Sequence, residues 1–407
     1  MNDYKINTKY DKIIQVLALA LGSNETVVKE AILRSYVIDQ DETNNRLRQV
    51  FCKAERGETI TIAAIGGSIT EGAHARSQNG IGNNATAFTD DLDGEKCYFE
   101  RTIDWFEETF PNTQINGINA GIGATPSFLG TFRLDQMVLN YSPDLVIIEF
   151  SVNDLGAVPF LLKDEIFESY ESIVRRCLEK GIAVIPICLV NQNGDSLQKI
   201  HLELADHYNM PAISYHNAIF PDGQAVFDWK MLSPDEVHPN NAGHTLIATC
   251  ITNYLDNVLE ITRLTDEYIT DELHTSWIYF DTFNKVNAQY AYEFKERARG
   301  GFEFQERIPN ISYKWRGALV SDNVEGNIKL IVPKGACRVY VQFFNSNGSF
   351  ETDFLNMKSS CNTAAIGWPR AMWHRVYTGK ATTEDVTLTI KSHKNGKVII
   401  MGVLISF

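Results

Sequence analysis

Five strand-length apolar runs, separated by helical patterns, constrain this chain more than any other feature. Thr59 to Ile65, Gln114 to Ala120, Leu145 to Phe150, Ala183 to Val190 and Ala212 to Tyr215 are short, largely apolar and rich in β-branched residues, which marks buried strands. The segments between them place apolar residues at helical spacing: Cys97 to Phe110, Leu129 to Tyr141, Asp164 to Lys180 and Leu197 to Tyr208, with a last helix from Asn241 to about Leu259. Alternating strands and helices build βαβ units, and these close a parallel sheet with right-handed crossovers. Residues 1–55, ahead of the first strand, read as a helical extension of this domain.

Near Ile261 to Thr275 the pattern breaks into a polar, acidic stretch, and beyond it the helical period is gone. Asn327 to Val332, Cys337 to Phe344, Val386 to Ile390 and Val398 to Phe407 alternate or run apolar at strand length, divided by Gly, Asn, Lys and Pro, which is the pattern of a β-sandwich. A chain of 407 residues also exceeds what one core usually organises. The reading is an α/β domain over residues 1–270 and an all-β sandwich over 271–407. Charge divides at the same place: from Ser276 onward 17 Lys and Arg face 11 Asp and Glu, about +6, leaving 20 against 40, about −20, for the rest. Opposite signs suit two domains that dock.

The net charge of −14 argues against nucleic acid and anionic membranes as partners. Seven scattered cysteines without a CxxC pair read as reduced thiols, and nine histidines without an HExxH spacing imply no metal. No cofactor motif is present. Ile13 to Leu21 superficially resembles an export signal, but Asp3 and Asp11 interrupt its basic flank, so a cytoplasmic location is expected. No run approaches the ~20 apolar residues needed to span a bilayer.

Chemistry is concentrated where strands end. In an open parallel sheet the carboxyl ends of the strands form the ligand crevice, and Ile65-Gly66-Gly67-Ser68-Ile69-Thr70-Glu71-Gly72 puts a serine there, flanked by glycines that allow a tight turn. The second strand ends in Asn119-Ala120-Gly121-Ile122-Gly123-Ala124-Thr125, whose small residues can expose backbone N–H groups. The third ends in Glu149-Phe150-Ser151-Val152-Asn153-Asp154. Backbone N–H groups and an Asn amide supply an oxyanion with donors. Ser233-Pro234-Asp235-Glu236-Val237-His238-Pro239, before the last helix, adds a His to accept the serine proton and an Asp to hold its tautomer. Glu71 and His74 follow Ser68 closely enough to touch substrate, though an acid at a helix N-terminus is more often a solvated dipole partner. Trp229 either walls the pocket or packs in the core.

Gly66-Gly67-Ser68-Ile69-Thr70 resembles the first block of the SGNH (GDSL-like) hydrolases, where Asp commonly stands in place of Gly67. Asn153-Asp154 resembles their third block and Asp235-x-x-His238-Pro239 their fifth, so the resemblance spans about residues 55 to 260. It implies a flavodoxin-like three-layer α/β/α fold and a serine esterase with Ser68 as nucleophile, His238 as base and Asp235 as orienter. It also implies an oxyanion hole from the Ser68 N–H, the Asn153 side chain and a second-block N–H. For that last donor Gly123 matches by residue type and Ala124 by ungapped count from Asn119.

Four of the six tryptophans, Trp277, Trp315, Trp368 and Trp373, fall in the β-rich part, where aromatic faces can stack on sugar rings. An SGNH domain followed by a jelly-roll-like, carbohydrate-binding-like sandwich resembles bacterial carbohydrate O-acetylesterases that act on hemicellulose, including the mannan type. The expected partner is an acetylated manno- or xylo-oligosaccharide, with Trp315, Trp368, Trp373 and Trp229 as candidate binding residues. The alternatives are a lipid esterase or thioesterase, and a carbohydrate-binding protein on a degenerate esterase fold.

Overall fold

The computed structural model describes residues 4–38, 45–75, 96–264, 276–364 and 370–407. They form two compact units, one ending at Phe280 and the other running from Asp281 to Phe407.

The first unit carries a six-stranded sheet of β1 (Tyr36–Ile38), β2 (Ile60–Gly66), β3 (Ile115–Gly121), β4 (Leu145–Glu149), β5 (Ala183–Cys188) and β6 (Ala212–Ser214). Their order is β1-β6-β5-β4-β2-β3, with β2 to β6 parallel and β1 antiparallel on the edge beside β6. Counted from β2, the parallel strands run 2-1-3-4-5, the flavodoxin-like order, whose topological switch point lies between β2 and β4. Successive residues of β2 show why helices cover both faces. Ile62 and Ala64 point into one core with Phe51, Phe106 and Leu255, whereas Ala63 and Ile65 point into another with Tyr170, Ile173 and Leu204.

The helices are α1 (Asp11–Ala20), α2 (Glu25–Arg34), α3 (Asn45–Glu55), α4 (Ser68–Glu71), α5 (Tyr98–Thr109), α6 (Ser127–Met137), α7 (Ser151–Ala157), α8 (Lys163–Leu178), α9 (Gln198–His207), α10 (Tyr215–Ile219), α11 (Trp229–Leu232) and α12 (Asn241–Leu264). Helices α1, α2, α3, α5 and α12 cover one face and α6, α8 and α9 the other. Among the described residues ahead of β2, α1 and α2 are followed by β1, a three-residue strand too short to show a period, and then by α3. Strand β3 tolerates Asn116 and Asn119 because it is the opposite edge. No described helix is long and apolar enough to cross a membrane. All seven cysteines are free thiols.

Of the stretch expected to separate the domains, Ile261 to Thr275, the first four residues complete α12 and residues 265–275 lie outside the described residues. The segment after it packs on the first unit: both Glu171 carboxylate oxygens accept backbone N–H groups, from Ile278 at 2.7 Å and Tyr279 at 2.8 Å. The Arg175 guanidinium lies 4.5 Å over the Trp277 ring. Trp277 therefore belongs to the α/β unit, and the described second unit starts about ten residues later than the composition suggests.

The second unit holds two antiparallel sheets facing one core. One contains the long β-strands Ala318–Asp322, Arg338–Phe344, Ala371–Thr378 and Lys397–Ser406; the other contains Gly326–Val332, Ser349–Phe354, Met357–Asn362 and Val386–Ser392. Leu319, Val339, Val341, Ile400 and Val403 of the first meet Ile328, Leu330, Phe350, Leu388 and Ile390 of the second, the interdigitation of a sandwich.

Candidate active site

Ser68 opens α4 immediately after β2, at the carboxyl edge of the sheet and at the switch point. Its turn is pinned from below. The buried Arg133 of α6 donates to the backbone oxygens of Gly66, at 2.8 Å, and Ala120, joining the ends of β2 and β3. Asn119 donates to Thr70 O at 2.7 Å, and Ile122 N–H to Gly66 O at 3.1 Å. Beneath the turn the buried Glu149 accepts from Thr70 Oγ1 at 2.9 Å and Gly67 N–H at 3.3 Å. Burial outweighs these bonds and pushes its carboxyl up to about 7.

Ser68 Oγ donates to His238 Nε2 at 2.7 Å, and His238 Nδ1 lies 2.8 Å from Asp235 Oδ2. Asp235 Oδ1 accepts the backbone N–H groups of Val237 and His238, both at 2.7 Å. The loop carrying the pair is tied by Ser233 Oγ, which donates to the backbone oxygens of Asp235 and His238 at 2.8 and 2.6 Å. Trp229 Nε1 also donates to Asp235 O, at 2.6 Å. Trp229 thus acts on the loop through its indole N–H. Burial works to raise the Asp235 pKa, but hydrogen bonds from His238 and His74 prevail and hold it well below the usual carboxylate range.

Asn153 lies directly against Gly67: a Cβ added to Gly67 would overlap the Asn153 amide. Asp154, the next residue, is fully buried; it accepts Ser127 N–H at 2.7 Å and pairs with buried His201 at 3.1 Å, fixing the first turn of α7, which presents Asn153. In the second block, Gly123 N–H donates to Glu71 Oε2 at 2.7 Å. Ala124 adopts φ +55°, the left-handed region that glycine enters without strain. The ungapped count puts Ala124 where the family usually has Gly.

Sequence reasoning left three groups aside. His74, weighed only as a substrate contact, has its Nε2 3.0 Å from Asp235 Oδ2. His244, one turn into α12, is fully buried, and burial lowers its pKa to about 3, so the ring is neutral. Its Nδ1 accepts Tyr98 N–H at 3.3 Å and its Nε2 donates to Ala73 O at 3.2 Å. Glu149 and Arg133 form the floor described above. Their signal was a charged residue inside an otherwise apolar strand or helix pattern.

The remaining aromatic candidates scatter. Trp315 is buried against Tyr290, with ring centroids 5.9 Å apart, and offers no open face for a sugar, which corrects its expected binding role. Trp373 is half-buried on the strand Ala371–Thr378. Trp368 lies outside the described residues.

Residues 64–246 match the GDSL-like lipase/acylhydrolase family. Among solved structures, the chain is similar to a two-domain esterase (CEX) active on acetylated mannans, co-crystallised with mannopentaose. That likeness has 24% identity, covers 92% of this chain and 97% of the other, and has a TM-score of 0.74. A structure of a two-domain esterase (CEX) active on acetylated mannans, with no ligand named, gives 23% identity, 92% and 98% coverage and a TM-score of 0.73. A catalytic mutant of Axe2, an acetylxylan esterase from Geobacillus stearothermophilus, shares 18% identity over 49% of this chain and 96% of its own, at a TM-score of 0.39. No curated protein sequence matches the chain. The CEX likenesses carry the fold of both units.

Proposed function

We propose that this protein is a serine esterase removing O-acetyl groups from hemicellulose oligosaccharides, a reading supported by the match of residues 64–246 to the GDSL-like acylhydrolases. The carrying observation is the relay from Ser68 Oγ to His238 Nε2, 2.7 Å, and from His238 Nδ1 to Asp235 Oδ2, 2.8 Å, at the switch point of the sheet. His238 takes the Ser68 proton as Oγ bonds to the acetyl carbonyl carbon. The tetrahedral oxyanion is met by the Ser68 N–H, the Asn153 amide and a second-block N–H. Because the Gly123 N–H is occupied by Glu71, Ala124 is the better candidate for that last donor. Collapse breaks the ester bond, and His238 returns the proton to the departing sugar oxygen. A water then gives its proton to His238 and attacks the acetyl-serine, releasing acetate and restoring Ser68 Oγ–H.

The sugar substrate is supported by the two-unit plan shared with an esterase active on acetylated mannans over 92% of this chain. Trp373 and, by sequence, Trp368 are the remaining aromatic candidates for stacking on a sugar ring. The test is mass spectrometry of acetylated manno- and xylo-oligosaccharides before and after treatment, beside hydrolysis of aryl acetate and aryl octanoate. Loss of acetyl mass from the sugars and a preference for acetate are expected. A preference for octanoate with untouched sugars would contradict the reading in favour of a lipid esterase.

A further inference from the structure

The carboxylate of Asp235 serves two imidazoles. Its Oδ2 is 2.8 Å from His238 Nδ1 and 3.0 Å from His74 Nε2, while its Oδ1 is saturated by two backbone N–H groups. The two rings lie edge to face, with centroids 5.5 Å apart. His74 reaches this position through a backbone that is itself constrained. Gly72 ends α4 at φ +98°, and His74 sits at φ +61°, a left-handed conformation that strains a non-glycine residue. Neutral His244 holds the preceding peptide by donating to Ala73 O at 3.2 Å. A non-glycine residue kept in a strained conformation by a buried anchor, with its side chain on the triad acid, is a site where strain serves geometry.

We propose that His74 is a positioning residue of the esterase: it donates from Nε2 to Asp235 Oδ2, and this second donor fixes the carboxylate rotamer so that His238 Nε2 stays aimed at Ser68. The inference rests on the esterase reading for its consequence in turnover, but the hydrogen bond itself does not. Without His74, Oδ2 would have His238 as its one side-chain donor, and the carboxylate plane would be set by Oδ1 and its loop N–H groups alone; small misplacement of a general base is expensive in rate. The three ligand atoms also lie within 4.8 Å of one another, a spacing that could hold a metal ion. In the hydrogen-bonded arrangement two of them point a proton at the third.

Two substitutions separate this role from a purely structural one. His74→Gln places an amide N–H where Nε2 stands but tolerates the left-handed backbone less well. His74→Asn suits that backbone but ends too short to reach Asp235. On aryl acetate, His74→Ala and His74→Asn should lower kcat by roughly 10- to 100-fold with little change in KM, and His74→Gln should recover most of it. In proton NMR, the low-field His238 Nδ1–H resonance should shift in the Ala and Asn variants and return in the Gln variant. EDTA should change neither readout. Recovery by Asn but not Gln, full activity in His74→Ala, or loss on chelation would each overturn the proposal. If the wild-type protein proved inert on every ester, the esterase reading would fail separately, and the NMR comparison alone would decide whether His74 holds Asp235.

Discussion

Gly67 and Asn153 share one small volume. A Cβ on Gly67 would overlap the Asn153 amide, so it is the glycine at this position that lets the amide lie against the turn of Ser68. Gly67→Ala should push that amide aside and lower kcat on aryl acetate by roughly 10²- to 10³-fold, the scale of one lost oxyanion donor, with the circular dichroism spectrum unchanged. Glu149 gives a second prediction. Its folded pKa, about 7, lies above the ordinary 4.5, so the unfolded chain binds fewer protons between those values and stability falls as pH rises through that window. The loss is on the order of 3 kcal/mol. Urea unfolding at pH 5 and pH 8 should show this fall in the wild type and a flatter response in Glu149→Gln. Equal responses would mean that Glu149 is not the buried acid inferred here. Ser68, Asn153, Asp235 and His238 were singled out as one site because each stands just past an apolar run or in a Pro-fixed loop, and the structure brings Ser68, His238 and Asp235 within hydrogen-bond reach. His74 and His244 were not, since their roles arise from partners 161 and 171 residues away in sequence.

The strands β2 to β6 and the second-unit strands Gly326–Val332, Arg338–Phe344, Val386–Ser392 and Lys397–Ser406 were legible because burial on one or both faces writes itself as apolar runs or alternation, whereas Ala318–Asp322, Ser349–Phe354, Met357–Asn362 and Ala371–Thr378 were not singled out. Strand β1 and the helices α4, α7, α10 and α11 escaped notice, being three to seven residues long and defined by tertiary contacts rather than by a period. The same blindness hid Arg133, which sits in the apolar pattern Phe128 to Leu134 yet is fully buried and fastens the ends of β2 and β3. Arg133→Met should leave those two carbonyl oxygens without the guanidinium and destabilise the fold by roughly 2 to 4 kcal/mol in denaturant unfolding. A change under about 0.5 kcal/mol would show that the strand ends hold themselves.

The sequence divides in charge, about −20 before Ser276 and about +6 from there on, and the proposed substrate is an acetylated oligosaccharide. An acetyl group offers few contacts, so selectivity among acetylated sugars must come from binding the ring. Trp373→Ala should therefore cost roughly 1 to 3 kcal/mol in kcat/KM on acetylated oligosaccharide and much less on aryl acetate. Equal effects on both substrates would remove Trp373 from sugar binding. The placement of Trp315 could not be read from composition, because an aromatic residue in a sandwich is counted the same whether its ring is buried or open. The account stands or falls on Ser68 as the nucleophile, and the direct measurement is acetate release from acetylated oligosaccharide by Ser68→Ala beside the wild type, with unfolding curves to confirm equal stability. The predicted result is a loss of kcat by roughly four to six orders of magnitude in a fully folded protein; turnover within tenfold of wild type would contradict the account.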